Sequence, residues 1–386
     1  MMKTKLMNMK IKNTSLILIF SMFITGAIFA GSLQAAPGEK TDDATILYIT
    51  NEGSNTLSII DGSKQEVIAT IPVGKTPHHP WLVPGGKYVF TDNRGENTLS
   101  VVDVNAGKMI KTITVGNAPT HMVFTPDGKY AYVANTKDNT TSVIDLAKLE
   151  VVATIPTGGG SHDPAITPDG RYVYVTARKP GHVAVIDTAT NKVIKTIPTG
   201  GKANGVRMTS DGKFLWVGNT SAGTVSVIDT AQNKVVATIQ SGAGTHNIRF
   251  SPDGKYAYVG NMKEGTHAVI DTATYKVVAR IPTGKGANIA YFHPDGKHIY
   301  FSINKADEIP VVEAKTNKII KRIPIGKGGT HNLAFVDGGR YLYATSWFGD
   351  YILVIDTRKN EVVKKIPAEF SNGIKVKGAP PATGRG

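Results

Sequence analysis

The sequence predicts an all-β, eight-bladed β-propeller of four-stranded antiparallel blades, and three observations point there. A Pro-Asp-Gly turn or a variant of it begins at Pro84, Pro126, Pro168, Ser210, Pro252, Pro294 and Asp337, a repeat of 42 residues with one final step of 43. Each repeat reads as four short runs of alternating, β-branched residues separated by turn residues. The partial unit from Ile46 to Gly74 holds only the last three runs, while Ser371-Asn372-Gly373-Ile374-Lys375-Val376 resembles Ala203-Asn204-Gly205-Val206-Arg207-Met208, the first run of a complete unit. Units of about 40 to 45 residues with four strands and no helix are propeller blades. The two ends together build the eighth blade and close the ring, which removes its open edges. Seven blades is the alternative, should the C-terminal run be a loose tail.

The elements follow in order. Lys3, Lys5, Lys10 and Lys12 precede an apolar run from Leu16 to Ala30, then small residues at Ala30, Gly31, Ser32, Ala35 and Ala36. That order is a secretory signal peptide over residues 1–36, cut between Gly31 and Pro37, with an uncleaved anchor as the alternative. Residues 37–42 are read as a linker, 43–378 as the propeller and 379–386 as a tail, with no membrane span after processing. The expected location is periplasmic or extracellular. In the third complete unit the strands fall at Ala165–Thr167, Arg171–Thr176, His182–Ile186 and Lys192–Pro198. Once-per-blade acids (Asp61, Asp103, Asp145, Asp187, Asp229, Asp271, Glu313, Asp356) precede turns and are read as caps for backbone donors. Gly128, Gly170, Gly212 and Gly254 supply the positive φ of the tight turns.

Composition narrows function by exclusion. The 386 residues include no cysteine, so disulfides, thiolate chemistry, Cys-ligated metal and covalent haem attachment are all absent. The formal net charge is +14, and loss of the leader removes four lysines but leaves the chain basic. Part of that charge recurs beside the turns (Lys87, Lys129, Arg171, Lys213, Lys255, Lys297, Arg340), as a solvated ring or as a surface for a polyanion or another envelope protein. Nucleic acid is not expected, because no aromatic and basic platform accompanies the charge. No hydrolase or nucleotide-binding motif occurs in a matching context.

The strand ends Tyr132 to Asn135 (YVAN), Tyr258 to Asn261 (YVGN) and Tyr48 to Asn51 (YITN), each followed by a VIDT-like run, resemble YVTN-family β-propeller repeats over residues 43–378. Eight blades also resemble the dihydro-haem propeller domain of cytochrome-type nitrite reductases and related haem-maturation proteins, and more distantly the copper propeller of nitrous oxide reductase. The resemblance implies the fold strongly. It implies function weakly, because such scaffolds carry many activities.

Positions that break the repeat are where function is sought. Six residues before each turn the chain reads His78, Thr120, His162, Asn204, His246, Asn288, His331 and, in the composite blade, Asn372. Histidine alternates with a small polar residue, so eight blades make a fourfold set in which His78 faces His246 and His162 faces His331. This position is placed in the loop entering the innermost strand. Imidazoles without carboxylates suit copper, zinc, nickel or iron rather than calcium or magnesium. His79, His121 and Asp163, one residue later, are expected in a second layer that orients the ring nitrogens. Trp81, Arg207, Arg249, Tyr291 and Lys375, three residues before the turns, are candidates for anionic ligand capture, with Arg94, Arg178, Lys179, Lys263, Lys305, Trp347 and Phe348 in the loops between second and third strands. Histidine and asparagine are also loop-capping residues, which is the competing structural reading. His182, His267, His293 and His298 are read as incidental.

The functional expectation is a monomeric binding module whose histidine ring takes a transition metal, copper or zinc, or a small anion. A redox enzyme or maturation protein with haem or copper at that mouth ranks second, a haem-like macrocycle standing behind the bare metal because the loops offer little to cover it. A surface interaction scaffold ranks third.

Overall fold

The computed structural model describes residues 45–377, so the expected signal peptide, linker and tail lie outside the described residues. Within that range 32 strands form eight antiparallel four-stranded sheets, and the one helical element is the 3₁₀ turn Asp337–Gly339. A representative blade runs Pro119–Phe124, Tyr130–Asn135, Thr140–Asp145 and Glu150–Pro156, hydrogen-bonded in that order from the axis outward.

Closure occurs through the termini. Ser371–Val376 pairs antiparallel with Ile46–Asn51, matching Leu47 to Val376, Tyr48 to Lys375 and Ile49 to Ile374, so the ring has eight blades and not seven. The composite blade is sealed on both flanks. Leu47, Ile49 and Ile60 pack with Tyr343, Ile352 and Val354 on one side, and Tyr48, Leu57 and Ile59 with Val89 and Val102 on the other. The core is a ring of such interfaces between neighbouring blades.

One aromatic per blade anchors each interface: Tyr48, Phe90, Tyr132, Tyr174, Trp216, Tyr258, Tyr300 and Tyr343 are all buried. Four of the tyrosine hydroxyls staple adjacent blades through an asparagine. Tyr132 donates to Asn191 (2.6 Å), Tyr174 to Asn233 (2.8 Å), Tyr258 to Asn317 (2.8 Å) and Tyr300 to Asn360 (2.6 Å). Each of these asparagines sits in the left-handed region, φ 50 to 56°, which its short polar side chain tolerates. Where the anchor is Trp216, the turn position is Tyr275 and two rings meet edge to face at 5.9 Å.

The recurrent aspartates cap backbone donors, as read from the sequence. Asp61 Oδ1 accepts from the Ser63 and Lys64 N–H groups, and Asp145 Oδ1 accepts from the Ala147 and Lys148 N–H groups. Gly128 and Gly254 hold φ of 68° and 72° in the tight turns.

His267 is a core residue with a measurable consequence. Its Nδ1 lies 2.8 Å from Thr283 Oγ1 and its ring packs 4.4 Å from Phe301. Burial pulls its pKa down to about 3. The unfolded chain then binds a proton between roughly pH 6.5 and 3 that the native state refuses, so stability falls as pH drops through that window. We expect the wild type to lose on the order of 2 kcal/mol from this group between pH 7 and 4.5. Urea titrations of wild type and His267→Phe at both pH values check this: equal pH slopes would disprove it.

Candidate functional site

The inner strands place the site, and they do so through a defect repeated eight times. Each inner strand shifts register against its neighbour near its start: between Pro77 and Pro80, Pro119 and His121, Ser161 and Pro164, Ala203 and Val206, Thr245 and Ile248, Ala287 and Ile289, Thr330 and Leu333, and opposite Ile49 and Asn51 in the composite blade. A bulge adds a residue and re-aims its side chain. The histidine position is therefore not in the loop before the strand, as the sequence suggested. It is inside the strand, at the bulge, as Pro77–Leu82 and Gly159–Ile166 show.

The consequence is that two adjacent columns mix. One ligand atom each from His78, His79 and His121 lies within 4.8 Å of the others. The ring centroids of His78 and His79 are 4.0 Å apart, those of His79 and His121 5.1 Å, and those of His121 and His162 4.8 Å. His331 stands 5.9 Å from His78 and 5.6 Å from His79, with Trp347 against it at 4.3 Å. Of the four histidines expected to form a square, His78, His162 and His331 thus share one cluster with His79 and His121. His246 stands half-buried four blades from His78, at the same position of its own strand.

The mouth accordingly has an imidazole half and an amide half. On the amide side Asn204 donates to Thr220 Oγ1 (3.2 Å), Asn288 to Asn304 Oδ1 (3.0 Å), and Asn247 to Asn288. A spoke recurs here: the residue 16 positions later, just past the second strand or, for Arg178, inside the strand Tyr172–Lys179 and not in the loop expected for Arg178 and Lys179, meets the mouth residue of its own blade. Thr136 meets Thr120, Arg178 meets His162, Thr220 meets Asn204, Asn304 meets Asn288 and Trp347 meets His331. In the composite blade Glu52 contacts Asn372, and burial raises the Glu52 pKa against the opposing pull of that contact and of Arg94.

Orientation of the imidazoles is set by their neighbours. Arg178 donates to His162 Nε2 (2.8 Å) and to Asn204 Oδ1 (3.0 Å), which makes that nitrogen an acceptor. His121 Nδ1 faces the His162 carbonyl at 3.1 Å, which makes that nitrogen the one that carries the proton. Asn332 Nδ2 approaches His331 Nδ1 at 2.9 Å and His79 Nε2 at 3.4 Å. Asp163 Oδ2 accepts from the Val206 N–H at 3.2 Å.

Asp92 is the site residue that the sequence reading missed. It is fully buried, its Oδ1 accepts from Trp81 Nε1 and from the His79 N–H, both at 2.9 Å, and its Oδ2 is 3.7 Å from His78 Nδ1. Burial pushes its carboxyl well above the ordinary range, in spite of those two donors and the nearby Arg94. A signal was available: the other blades have Thr50, Ala134, Thr176, Gly218, Gly260, Ser302 and Thr345 at this place, so Asp92 is the sole ionisable residue of its column.

Nearer the turns lies a cationic tier. Arg249 stands over the Tyr291 ring at 5.7 Å, Tyr291 OH donates to Asn332 Oδ1 at 3.0 Å, and Arg207 Nε reaches the Ile248 carbonyl at 3.4 Å. Burial and the Arg249 and Arg207 guanidinia pull the Lys375 amine down to about 8. The rim is basic too, since burial together with Arg178, Lys179 and Lys263 lowers the Lys202 pKa. Two inner strands are glycine at the tunnel position. A Cβ on Gly205 would fall 2.3 Å from the His246 carbonyl, and one on Gly373 2.4 Å from Pro80 Cδ.

Comparison with known proteins agrees with the architecture. A family model described as the cytochrome D1 heme domain matches residues 119–209 and 175–290, and one described as a YNCE-like β-propeller matches residues 7–139. Among solved structures the chain is similar to the dihydro-heme d1 dehydrogenase NirN in complex with DHE, with a TM-score of 0.75 and 21% identity over 86% of this chain and 74% of that one. It is also similar to Kuenenia stuttgartiensis hydrazine synthase (TM-score 0.59, 23% identity, 73% and 95% of the two chains). A functionally unknown protein from Desulfotomaculum acetoxidans gives a TM-score of 0.57 at 19% identity over 75% and 98%. At such identities these likenesses speak for the fold. No curated protein sequence gives a significant match.

Proposed function

We propose that the propeller binds a haem-type tetrapyrrole across its histidine mouth. The observation that carries this reading is the imidazole half of that mouth, five histidines in one connected cluster beside the arginine-bearing rim. The match of the cytochrome D1 heme domain to residues 119–290 supports it, since His121, His162, Arg178, Arg207 and Arg249 fall inside that stretch.

The residues fit the group. The imidazoles would supply nitrogen ligands to its iron, Arg94 and Arg178 would meet its carboxylates, and Trp347 with Phe348 would offer aromatic faces. The cavity between His79, Trp81, Arg249 and Lys375 has only about 20 Å³, too small for a macrocycle, which would lie over the mouth. Without cysteine the attachment is non-covalent. Bound there, the group supplies an iron that takes imidazole ligands and exchanges electrons. The chain's own part is to orient His121 through the His162 carbonyl, fix His162 through Arg178, and hold the carboxylates at the rim. Export to the periplasm or beyond belongs to this reading and rests on the lysine-led apolar leader.

A second reading has one specific observation in its favour. The ligand atoms of His78, His79 and His121 lie within 4.8 Å of one another, close enough for one bare copper or zinc ion. Titrating the purified full chain with haemin, and separately with copper(II) and zinc(II), separates the two. The first predicts a stoichiometric Soret shift that the His78→Ala, His121→Ala, His162→Ala variant loses. Stoichiometric zinc binding with no Soret shift would favour the second, and binding of none of them would leave a scaffold with structural histidines.

A further inference from the structure

One turn breaks the repeat on both of its flanks. In four other blades the residue ahead of the turn is Thr125, Thr167, Thr209 or Ser251, whose hydroxyl donates to the turn aspartate at 2.5 to 2.7 Å. The strand that follows opens there on Tyr130, Tyr172, Phe214 or Tyr256. Around Pro294-Asp295-Gly296 these two positions hold His293 and His298, incidental by sequence, and both imidazoles turn a nitrogen to one carboxylate. His298 Nδ1 is 2.6 Å from Asp295 Oδ2, and His293 Nδ1 is 3.0 Å from Asp295 Oδ1. One ligand atom from each of the three lies within 4.8 Å of the others. The group sits past the turn end of the inner strand Ala287–Phe292, whose opposite end carries Asn288 at the mouth.

We propose that His293, Asp295 and His298 bind a divalent transition-metal ion of the zinc class. The tautomer of His293 carries the argument. Its Nε2 lies 3.0 Å from the Gly339 carbonyl, which can only accept, so Nε2 holds the proton and Nδ1 the lone pair. That Nδ1 accepts from the Asp295 N–H at 3.1 Å. Asp295 Oδ1 is an acceptor as well, taking the Lys297 N–H at 2.7 Å and the His298 N–H at 3.1 Å. Two acceptor atoms therefore face each other at 3.0 Å with neither holding a proton for the other, and a cation between them resolves the repulsion. A metal-bound imidazole characteristically gives its second N–H to a carboxylate or a backbone carbonyl, and Gly339, in the turn of the next blade, already fills that role. Phe335 steadies the same ring by an edge contact at 5.0 Å. At His298 the metal–nitrogen bond takes the place of the Nδ1 proton, which leaves to solvent. Two imidazoles and one carboxylate suit zinc, copper or nickel rather than calcium or magnesium. Three protein ligands leave a position of a tetrahedral ion open, and Asp295 is exposed, so water completes the set.

The site does not depend on a tetrapyrrole, so its test uses purified, metal-free, full-length protein without added haemin. Zinc(II) alone is the probe, followed by isothermal titration. The deciding variant is His293→Thr with His298→Tyr, which gives this turn the flanking residues of the Thr125 and Tyr130 blade and so a turn the fold already builds. Wild type should bind one equivalent of zinc that this variant lacks. Zinc at the mouth is told apart because the His78→Ala, His121→Ala, His162→Ala protein should keep the turn equivalent. Equal zinc stoichiometry in wild type and the His293→Thr, His298→Tyr variant overturns the proposal, as does loss of all zinc binding in the mouth variant or no zinc binding by the wild type. Should either variant not fold, zinc-soaked wild-type crystals decide: an anomalous peak between His293, Asp295 and His298 supports the site, and its absence overturns it.

Discussion

A chain ending at Glu369 is expected to melt far below the full-length protein and to self-associate. The deletion removes Ser371–Val376, the strand that pairs with Ile46–Asn51 and lines the axis of the composite blade. Removal of Ile374 uncovers the interface formed by Leu47, Ile49, Tyr343 and Ile352, and each large aliphatic or aromatic side chain fully uncovered there costs about 1.5–3 kcal/mol. Polar ties go as well: Thr345 Oγ1 donates to the Asn372 carbonyl at 2.6 Å, and Ser346 N–H to Ser371 Oγ at 3.0 Å. The Ile46–Asn51 strand is left with an open edge in an otherwise closed ring, a template for pairing with another chain. The total is several kcal/mol, at the upper end of what single-element lesions produce. Thermal unfolding followed by circular dichroism, with size-exclusion chromatography, checks it. An unchanged melting temperature would mean that the terminal strand does not close the ring, whereas rescue by an added peptide spanning residues 366–380 would show that it does.

Ring closure was legible because one structural unit is written eight times. A 42-residue period, the turns at Pro126, Pro168 and Pro252 and the matching of Asn372-Gly373-Ile374 to Asn204-Gly205-Val206 are statements about spacing, and spacing is what a repeat fold obeys. The capping role of Asp61 and its equivalents followed from turn chemistry alone. The site was less legible for a reason of geometry. Periodicity of two assigns faces only in a regular strand, and the bulge at His78 and His79 breaks it, so two columns that look like successive layers mix in one cluster. The hydrogen bonds from Tyr132 to Asn191 and from Tyr174 to Asn233 span 59 residues and leave no short motif, although the exchange of both positions for Trp216 and Tyr275 in one pair of blades is a trace of them. His267, taken as incidental from its loop-like surroundings in sequence, is a buried core imidazole.

Asp92 is where fold and site meet, and its substitutions separate the two. Asp92→Ala removes the acceptor of two donors on half-buried residues, Trp81 Nε1–H and the His79 N–H, and each donor left unsatisfied costs about 1–3 kcal/mol. The variant should therefore lose about 2–4 kcal/mol in urea unfolding. Asp92→Asn keeps an oxygen for both donors and is nearly isosteric, so it should stay within about 1 kcal/mol of wild type. If the carboxyl also positions the imidazole cluster through His79 and His78, the asparagine variant separates from wild type in a different measurement. Its Oδ2 equivalent becomes an amide nitrogen facing His78 Nδ1, now 3.7 Å from a carboxyl oxygen, and donor meets donor whenever that nitrogen carries the proton. Groups that orient an imidazole ligand typically contribute ten- to a hundredfold to affinity. The expected result is an Asp92→Asn protein with near-native stability and haemin affinity reduced by about that factor. Wild-type affinity in Asp92→Asn would confine the residue to structure, and wild-type stability in Asp92→Ala would show that the two donors find water or another acceptor and that Asp92 does not hold the strand.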